Sequence, residues 1–132
     1  MSTKNPLFND FGLTVTRLEE ALRLEKNGIV RDSAIKRFEL CFDLAWKCIQ
    51  ALARKEGVEC HSPLGCLKTA FQLGLLEYDE VWMKMLEDRN QTVHIYKEAY
   101  ADEVFARLPR YAGLLAGLVA RLSLDLKGGV RS

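Results

Sequence analysis

One long amphipathic segment, from about residue 31 to Gly57, constrains the fold more than any other feature of the sequence. Its apolar residues step by four, three, four and three positions, which is helical spacing, and they form one continuous stripe: Phe38, Phe42, Ala45, Ile49 and Leu52. At 1.5 Å per residue, about 25 residues give roughly 38 Å of helix. A helix of that length in a chain of 132 residues has to lie against other helices. The segment therefore predicts a helical bundle.

The rest of the chain repeats this spacing, and alternating β-branched stretches do not occur. Four further helices are predicted: about 10–26, ending at Asn27-Gly28; from Ser62-Pro63 to Gly74; from Asp79-Glu80 to about Arg89; and about 99–126, ended by Gly128-Gly129. We expect an all-α fold, an up-and-down four-helix bundle with an extra short helix. It should form a single domain over residues 1–132, with its core at about 10–126.

Composition excludes several classes of protein. Nineteen basic and 18 acidic residues give a net charge of +1, so there is no overall electrostatic attraction to nucleic acid. No apolar run approaches the roughly 20 residues of a membrane span. The first residues lack the apolar core of a secretory signal, so we expect a cytoplasmic protein that does not bind membranes. Two of the four cysteines lie within a helical pattern, and a chain of this size does not need disulfides, so all four are interpreted as reduced thiols: Cys41, Cys48, Cys60 and Cys66.

A polar segment interrupts the helical pattern after Leu86, and it carries the groups that could do chemistry. It reads Glu87-Asp88-Arg89-Asn90-Gln91-Thr92-Val93-His94-Ile95-Tyr96. Arg89 is a permanently charged donor that can hold a phosphate group, and His94 can exchange a proton near neutral pH. Asn90 adds a neutral donor and acceptor. These are groups that a phosphodiester cleavage without metal or cofactor would use.

Helix geometry limits how Arg89 and His94 could cooperate. Five residues of an ideal helix turn their side chains about 140° apart, so an uninterrupted helix would not bring both to one phosphate. Either the helix bends or ends within the segment, or two copies meet across a symmetric dimer interface. We prefer the dimer, because the segment is too short to form a pocket alone.

Ordinary structural roles compete with each functional interpretation. Arg89, His94 and Tyr96 could form a cap, an ion pair and a partly buried phenol, with Glu87 and Asp88 neutralising the arginine. Other groups have similar alternatives. Glu39, Asp43 and Lys47 are expected to form a solvated stripe, in which Glu39 could face Arg89. Cys60, His61 and Cys66 are expected to form a loop rather than a zinc site, and the two tryptophans, Trp46 and Trp82, to be core or interface anchors.

Four stretches of the sequence resemble one family. The motif Arg89-Asn90-Gln91-Thr92-Val93-His94, extended by Tyr96, is similar to the Arg-x4-His-x-Tyr signature of the HEPN superfamily. Three further stretches resemble its branch of nucleotidyltransferase substrate-binding proteins: Arg37 to Lys47, Ser62-Pro63 leading into Lys68 to Leu76, and Met85 to Asn90. The resemblance spans about residues 15–120.

The resemblance implies a homodimeric helical bundle that binds a minimal nucleotidyltransferase encoded beside it. In many such pairs the HEPN member resembles a toxin, an endoribonuclease that needs no metal, and the nucleotidyltransferase acts as antitoxin. By position, Arg89 and His94 would be catalytic together with Asn90, RNA would be the substrate, and Tyr96 would receive AMP. The alternatives are a non-catalytic subunit that binds a nucleotide or substrate for the nucleotidyltransferase, and a plain oligomerisation module.

Overall fold

The computed structural model describes residues 5–128, with side chains up to residue 124. This range forms five α-helices and one short 3₁₀ turn, and contains no strand. The helices are α1 (Pro6–Leu22), α2 (Gly28–Lys55), α3 (Pro63–Leu73), α4 (Val81–Asn90) and α5 (Glu98–Gly128), and the 3₁₀ turn covers Thr92–His94. The predicted all-α fold is confirmed. Gly129, predicted to help end the last helix, lies outside the described residues.

The first two helices begin at asparagine caps that the apolar pattern did not reveal. The Asn5 side chain accepts a hydrogen bond from the Leu7 amide at 2.9 Å, so α1 starts four residues before the predicted position. Asn27 accepts from the Val30 amide at 2.8 Å and thereby begins α2. The prediction that Asn27-Gly28 ends the first helix is wrong: α1 ends at Leu22, and Asn27 is the N-cap of α2.

The ends of α3 and the start of α4 follow their local sequence. Ser62 accepts a hydrogen bond from the Gly65 amide at 3.0 Å with Pro63 as the first helical residue, as predicted. Gly74 closes α3 in the left-handed conformation, with φ of 73°. Asp79 accepts from the Val81 amide at 2.9 Å. The α3–α4 connection is thus set by short-range hydrogen bonds.

Helix α2 lies at the centre of the bundle and contacts all four other helices. Its predicted stripe is buried, and it meets apolar side chains of α1, α3, α4 and α5. The largest fully buried side chains are Trp82, Tyr111, Phe11, Phe38, Phe42, Leu18, Ile35, Ile49, Leu67, Met85, Leu108 and Leu115. Within the described residues, no helix combines the length and the apolar character that a membrane crossing requires.

The cysteine prediction is wrong for two of the four residues. Cys60 and Cys66 form a disulfide, with their α-carbons 5.1 Å apart. The turn that leads into α3 brings both within bridging distance, which sequence separation alone does not show. Cys41 and Cys48 are free and buried in α2.

Candidate functional site

The polar segment predicted to carry the chemistry coincides with a break in the helix. Helix α4 ends at Asn90, and the chain continues through the 3₁₀ turn Thr92–His94 before α5 begins. The buried Thr92 hydroxyl donates a hydrogen bond to the Arg89 carbonyl at 3.0 Å, which satisfies one of the free carbonyls at the helix end. Of the two arrangements considered from the sequence, an interruption of the helix is therefore present within one chain.

Arg89 points from the last turn of α4 onto two carboxylates of α2. Its Nε and Nη2 donate to the two oxygens of Asp43 at 2.7 and 3.0 Å, which is the bidentate geometry of a strong arginine–carboxylate pair. Its Nη1 lies 3.1 Å from Oε2 of Glu39. The hydrogen bonds to Asp43, reinforced by the charge of Glu39, raise the pKa of Arg89. Asp43 and Glu39 thus hold the guanidinium in place and balance its positive charge.

Asp88, the neighbour of Arg89, points the opposite way and is 1% exposed. Its two oxygens accept hydrogen bonds from Tyr100 at 2.9 Å, from Tyr111 at 2.6 Å, and from Nε and Nη2 of Arg107 at 2.8 and 2.9 Å. Burial by itself raises the pKa of Asp88, and the hydrogen bonds from Arg107, Tyr111 and Tyr100 more than reverse this, so the pKa lies below its ordinary value. Asp88 thus anchors the end of α4 to α5.

His94 and Tyr96 follow the end of α4 in the chain, and neither takes part in the ion pairs described above. The two rings meet edge to face with centroids 6.0 Å apart. Nδ1 of His94 is buried and makes no hydrogen bond to the described residues. Tyr96 is 73% exposed. No hydrogen bond or ring contact within the described residues joins His94 to Arg89, so one chain does not assemble the two predicted catalytic groups through direct contact.

An open cavity of about 320 Å³ lies between α2, α4 and the start of α3. Apolar side chains form part of its lining: Phe42, Trp46, Pro63 and Leu86. Polar and charged side chains form the remainder: Asp43, Lys47, Arg89 and Asn90. The cavity therefore joins two predicted catalytic residues, Arg89 and Asn90, with three residues of α2: Asp43, Trp46 and Lys47.

Two features of the site differ from the sequence interpretation. Glu39 and Asp43 do not form a solvated stripe, because both bind Arg89. The sequence suggests that Glu39 could face Arg89, but it does not suggest the contact with Asp43. Asp88 does not neutralise Arg89. The signal for its burial was present, since Asp88 follows the buried Trp82 and Met85 at intervals of three and therefore lies on the core side of α4.

The other polar and nucleophilic groups do not form a second chemical centre. Burial, with a contribution from Glu19, raises the pKa of Cys41 to about 12, and burial raises that of Cys48 to about 12, so neither thiol forms a thiolate near neutral pH. Cys60 and Cys66 are joined to each other and cannot bind zinc as thiolates. Among the described residues, no group of three or more histidine, cysteine or acidic side chains is placed to hold a metal ion.

The fold and site define an all-α bundle protein with a polar segment at the end of its fourth helix. Residues 7–124 match the model of the family described as nucleotidyltransferase substrate binding protein like, and the chain belongs to that family. The predicted membership of this HEPN-like family is thereby confirmed, while its toxin branch is not established.

Several solved structures are similar to this chain, among them the following two. A Thermus thermophilus protein is 40% identical with a TM-score of 0.80, over 85% of this chain and 98% of its own. A Haemophilus influenzae protein, described as having the fold of a substrate-binding domain of a nucleotidyltransferase, is 18% identical with a TM-score of 0.77, over 88% of this chain and 98% of its own. At that identity the second likeness shows the fold alone. No curated protein gives a significant match.

Proposed function

We propose that this protein is a non-catalytic subunit that binds a nucleotide or another substrate on behalf of a nucleotidyltransferase. One observation carries the proposal: the Arg89 guanidinium is held by Asp43 and Glu39. The two carboxylates offset the charge of Arg89, so it would have to give up these contacts to act as an unneutralised cation on the phosphate of RNA, at an energetic cost. Arg89 in this arrangement stabilises the α2–α4 contact and shapes a cavity.

The partner in this proposal is a nucleotidyltransferase, and the description of the family supports that choice. A two-protein arrangement divides the work, with this chain holding the substrate and the partner carrying out the transfer. The cavity beside Arg89 provides a concave polar and apolar surface of the kind that small molecules occupy.

Co-purification with the nucleotidyltransferase encoded in the neighbouring reading frame tests the proposal. We expect a stable complex on size-exclusion chromatography, and no RNA cleavage by the purified protein in EDTA. His94→Gln should behave as the wild type in both assays, because the subunit uses no acid–base group. Cleavage that persists in EDTA and is lost in His94→Gln would contradict a non-catalytic role.

A second candidate function is the metal-independent endoribonuclease toxin implied by the sequence motif, acting through Arg89, His94 and Asn90 in a homodimer. The exposed Tyr96 beside His94 favours it, because a hydroxyl that is 73% exposed can be reached by a modifying partner. In this alternative, the nucleotidyltransferase is the antitoxin, and AMP on Tyr96 blocks the access of RNA.

Growth and mass measurements separate the two candidates. The toxin alternative expects growth arrest on expression of this chain alone, relieved by His94→Gln. It also expects the mass of one AMP to be added by the partner and to be lost in Tyr96→Phe. Normal growth together with an unmodified complex is the result expected for the non-catalytic subunit.

A further inference from the structure

The two tryptophans of the chain lie in different surroundings. Trp82 is 2% exposed and belongs to the core. Trp46 packs against the core on α2 but is only partly buried, and it lines the cavity between α2, α3 and α4. An indole at the wall of an open cavity offers a flat apolar surface on which a planar ring can stack. Every nucleobase has such a ring.

Among the described charged side chains around the cavity, one cation has no ion pair with a carboxylate. Lys36 lies 3.3 Å from Glu39, and Arg89 binds both Glu39 and Asp43, so these four side chains balance one another. Lys47 follows Trp46 directly, is exposed, and makes no ion pair with any described residue. A lysine ammonium is a point charge that binds phosphate well. The unmatched charge therefore favours an anionic group close to the indole.

Two further polar side chains at the cavity, Arg89 and Asn90, have N–H groups that can donate hydrogen bonds to a ligand. The guanidinium of Arg89 has five N–H groups; its hydrogen bonds to Asp43 use two of them, and Glu39 contributes an ion pair. The amide of the exposed Asn90 can both donate and accept. A volume of about 320 Å³ lies at the small end of the range for small-molecule sites, which suits a single nucleotide better than a polymer.

From this arrangement we propose that the cavity binds one nucleoside monophosphate, with its base against Trp46 and its phosphate at Lys47. The inference rests on the proposed function and deepens it, because it names the site and the chemical class of the ligand. Binding requires no release of Arg89, whose free N–H groups and the Asn90 amide hydrogen bond the ligand between base and phosphate.

Calorimetric titration of the full-length protein with AMP and with adenosine tests the assignment. We expect Trp46→Ala to weaken both ligands about 10-fold or more, the effect of losing one base–aromatic stacking contact. Trp46→Phe keeps an aromatic ring and should retain most of the binding, which separates stacking from loss of folding. Lys47→Gln should weaken AMP about 10-fold, as for loss of a charge-assisted contact, and should leave adenosine unchanged.

The matched control is Lys68→Gln, which removes the same charge from an exposed position of α3 that does not line the cavity. It should bind AMP as the wild type does. The inference is overturned if AMP does not bind at millimolar concentration, or if Lys47→Gln and Lys68→Gln bind it equally. It is also overturned if Trp46→Ala retains full affinity. If any of these results is found while the complex with the nucleotidyltransferase is intact, the inference fails and the proposed function is not contradicted. Absence of that complex would contradict the proposed function itself.

Discussion

At the scale of single residues, two neighbours in the last turn of α4 have opposite environments. Asp88 is buried and binds three side chains of α5, whereas Arg89 reaches two carboxylates of α2 at the edge of an open cavity. Consecutive residues of a helix point about 100° apart, so one turn can bind two different helices. The pair fixes the end of α4 on both sides and thereby sets the position of the cavity wall.

Asp88→Asn should lower the free energy of unfolding by about 3 kcal/mol at pH 7, because it leaves Arg107 without its counter-charge. Because the Arg107 side chain remains partly exposed to water, the loss of unfolding free energy should lie near the lower end of the range for broken buried ion pairs. Urea unfolding followed by circular dichroism measures the effect. Glu87→Gln is the matched control, since Glu87 precedes Asp88 and its ion pair among the described residues is the exposed one with Lys84. That change should cost less than about 0.5 kcal/mol, and equal losses in the two variants would contradict the role assigned to Asp88.

The stability conferred by Asp88 should depend on pH in a definite direction. Its pKa lies below the ordinary value of 3.8, so its contribution is fully present above that pH and is lost as pH falls through the native pKa. The difference in unfolding free energy between wild type and Asp88→Asn should therefore be constant from about pH 5 to 7 and shrink below about pH 4. A difference that grows on acidification would mean that the native pKa is raised instead.

At the scale of elements, the chain's turns are determined by single residues at the helix ends. Asn27 begins α2, Ser62 begins α3, and Gly74 ends α3 with a positive φ. These caps set where each helix starts and stops, and so which of its residues reach the cavity. The 3₁₀ turn Thr92–His94 likewise places His94 outside helix α4.

Two glycine-to-alanine changes should shift stability in opposite directions. Gly74→Ala places a Cβ on a residue with φ of 73° and should lower the free energy of unfolding by about 1 kcal/mol. Gly113→Ala lies within α5, where an added Cβ meets nothing within 4 Å, and should raise it by about 0.5–1 kcal/mol. Thermal unfolding of the two variants beside wild type measures both effects. A Gly74→Ala variant as stable as wild type would contradict the assigned end of α3, and a Gly113→Ala variant less stable than wild type would contradict the second prediction.

At the scale of the whole molecule, a homodimer remains a prediction. Within one chain, Arg89 binds Asp43 of α2 and His94 packs beside Tyr96, and no direct contact among the described residues joins Arg89 to His94. The family resemblance implies a second chain, and a two-fold dimer would place two copies of both residues around one cleft. Light scattering coupled to size-exclusion chromatography should give twice the chain mass of 15.0 kDa at micromolar concentration. A mass of one chain across that range would contradict the dimer and with it the two-chain site.

Much of the fold could be predicted because its signals are local. The α2 stripe, the Ser62-Pro63 start and the Gly74 end each depend on residues within one or two turns. The same local signals misplaced Asn27-Gly28, because an asparagine–glycine pair can end one helix or begin the next. For the candidate site, the sequence identified Arg89, His94, Asn90 and Tyr96 as a group, and their chemical roles stay predictions.

The opening feature, one long apolar stripe, by itself determined that the chain is a helical bundle, because a 28-residue amphipathic helix must be covered by other helices. Only the tertiary structure decided which groups meet. The contact between Arg89 and Asp43 joins residues 46 positions apart, and that between Tyr111 and Asp88 joins residues 23 apart. Such pairs depend on how the helices rotate and pack, and helical periodicity carries no information about that. The Cys60–Cys66 pairing also became visible only once the turn into α3 was formed.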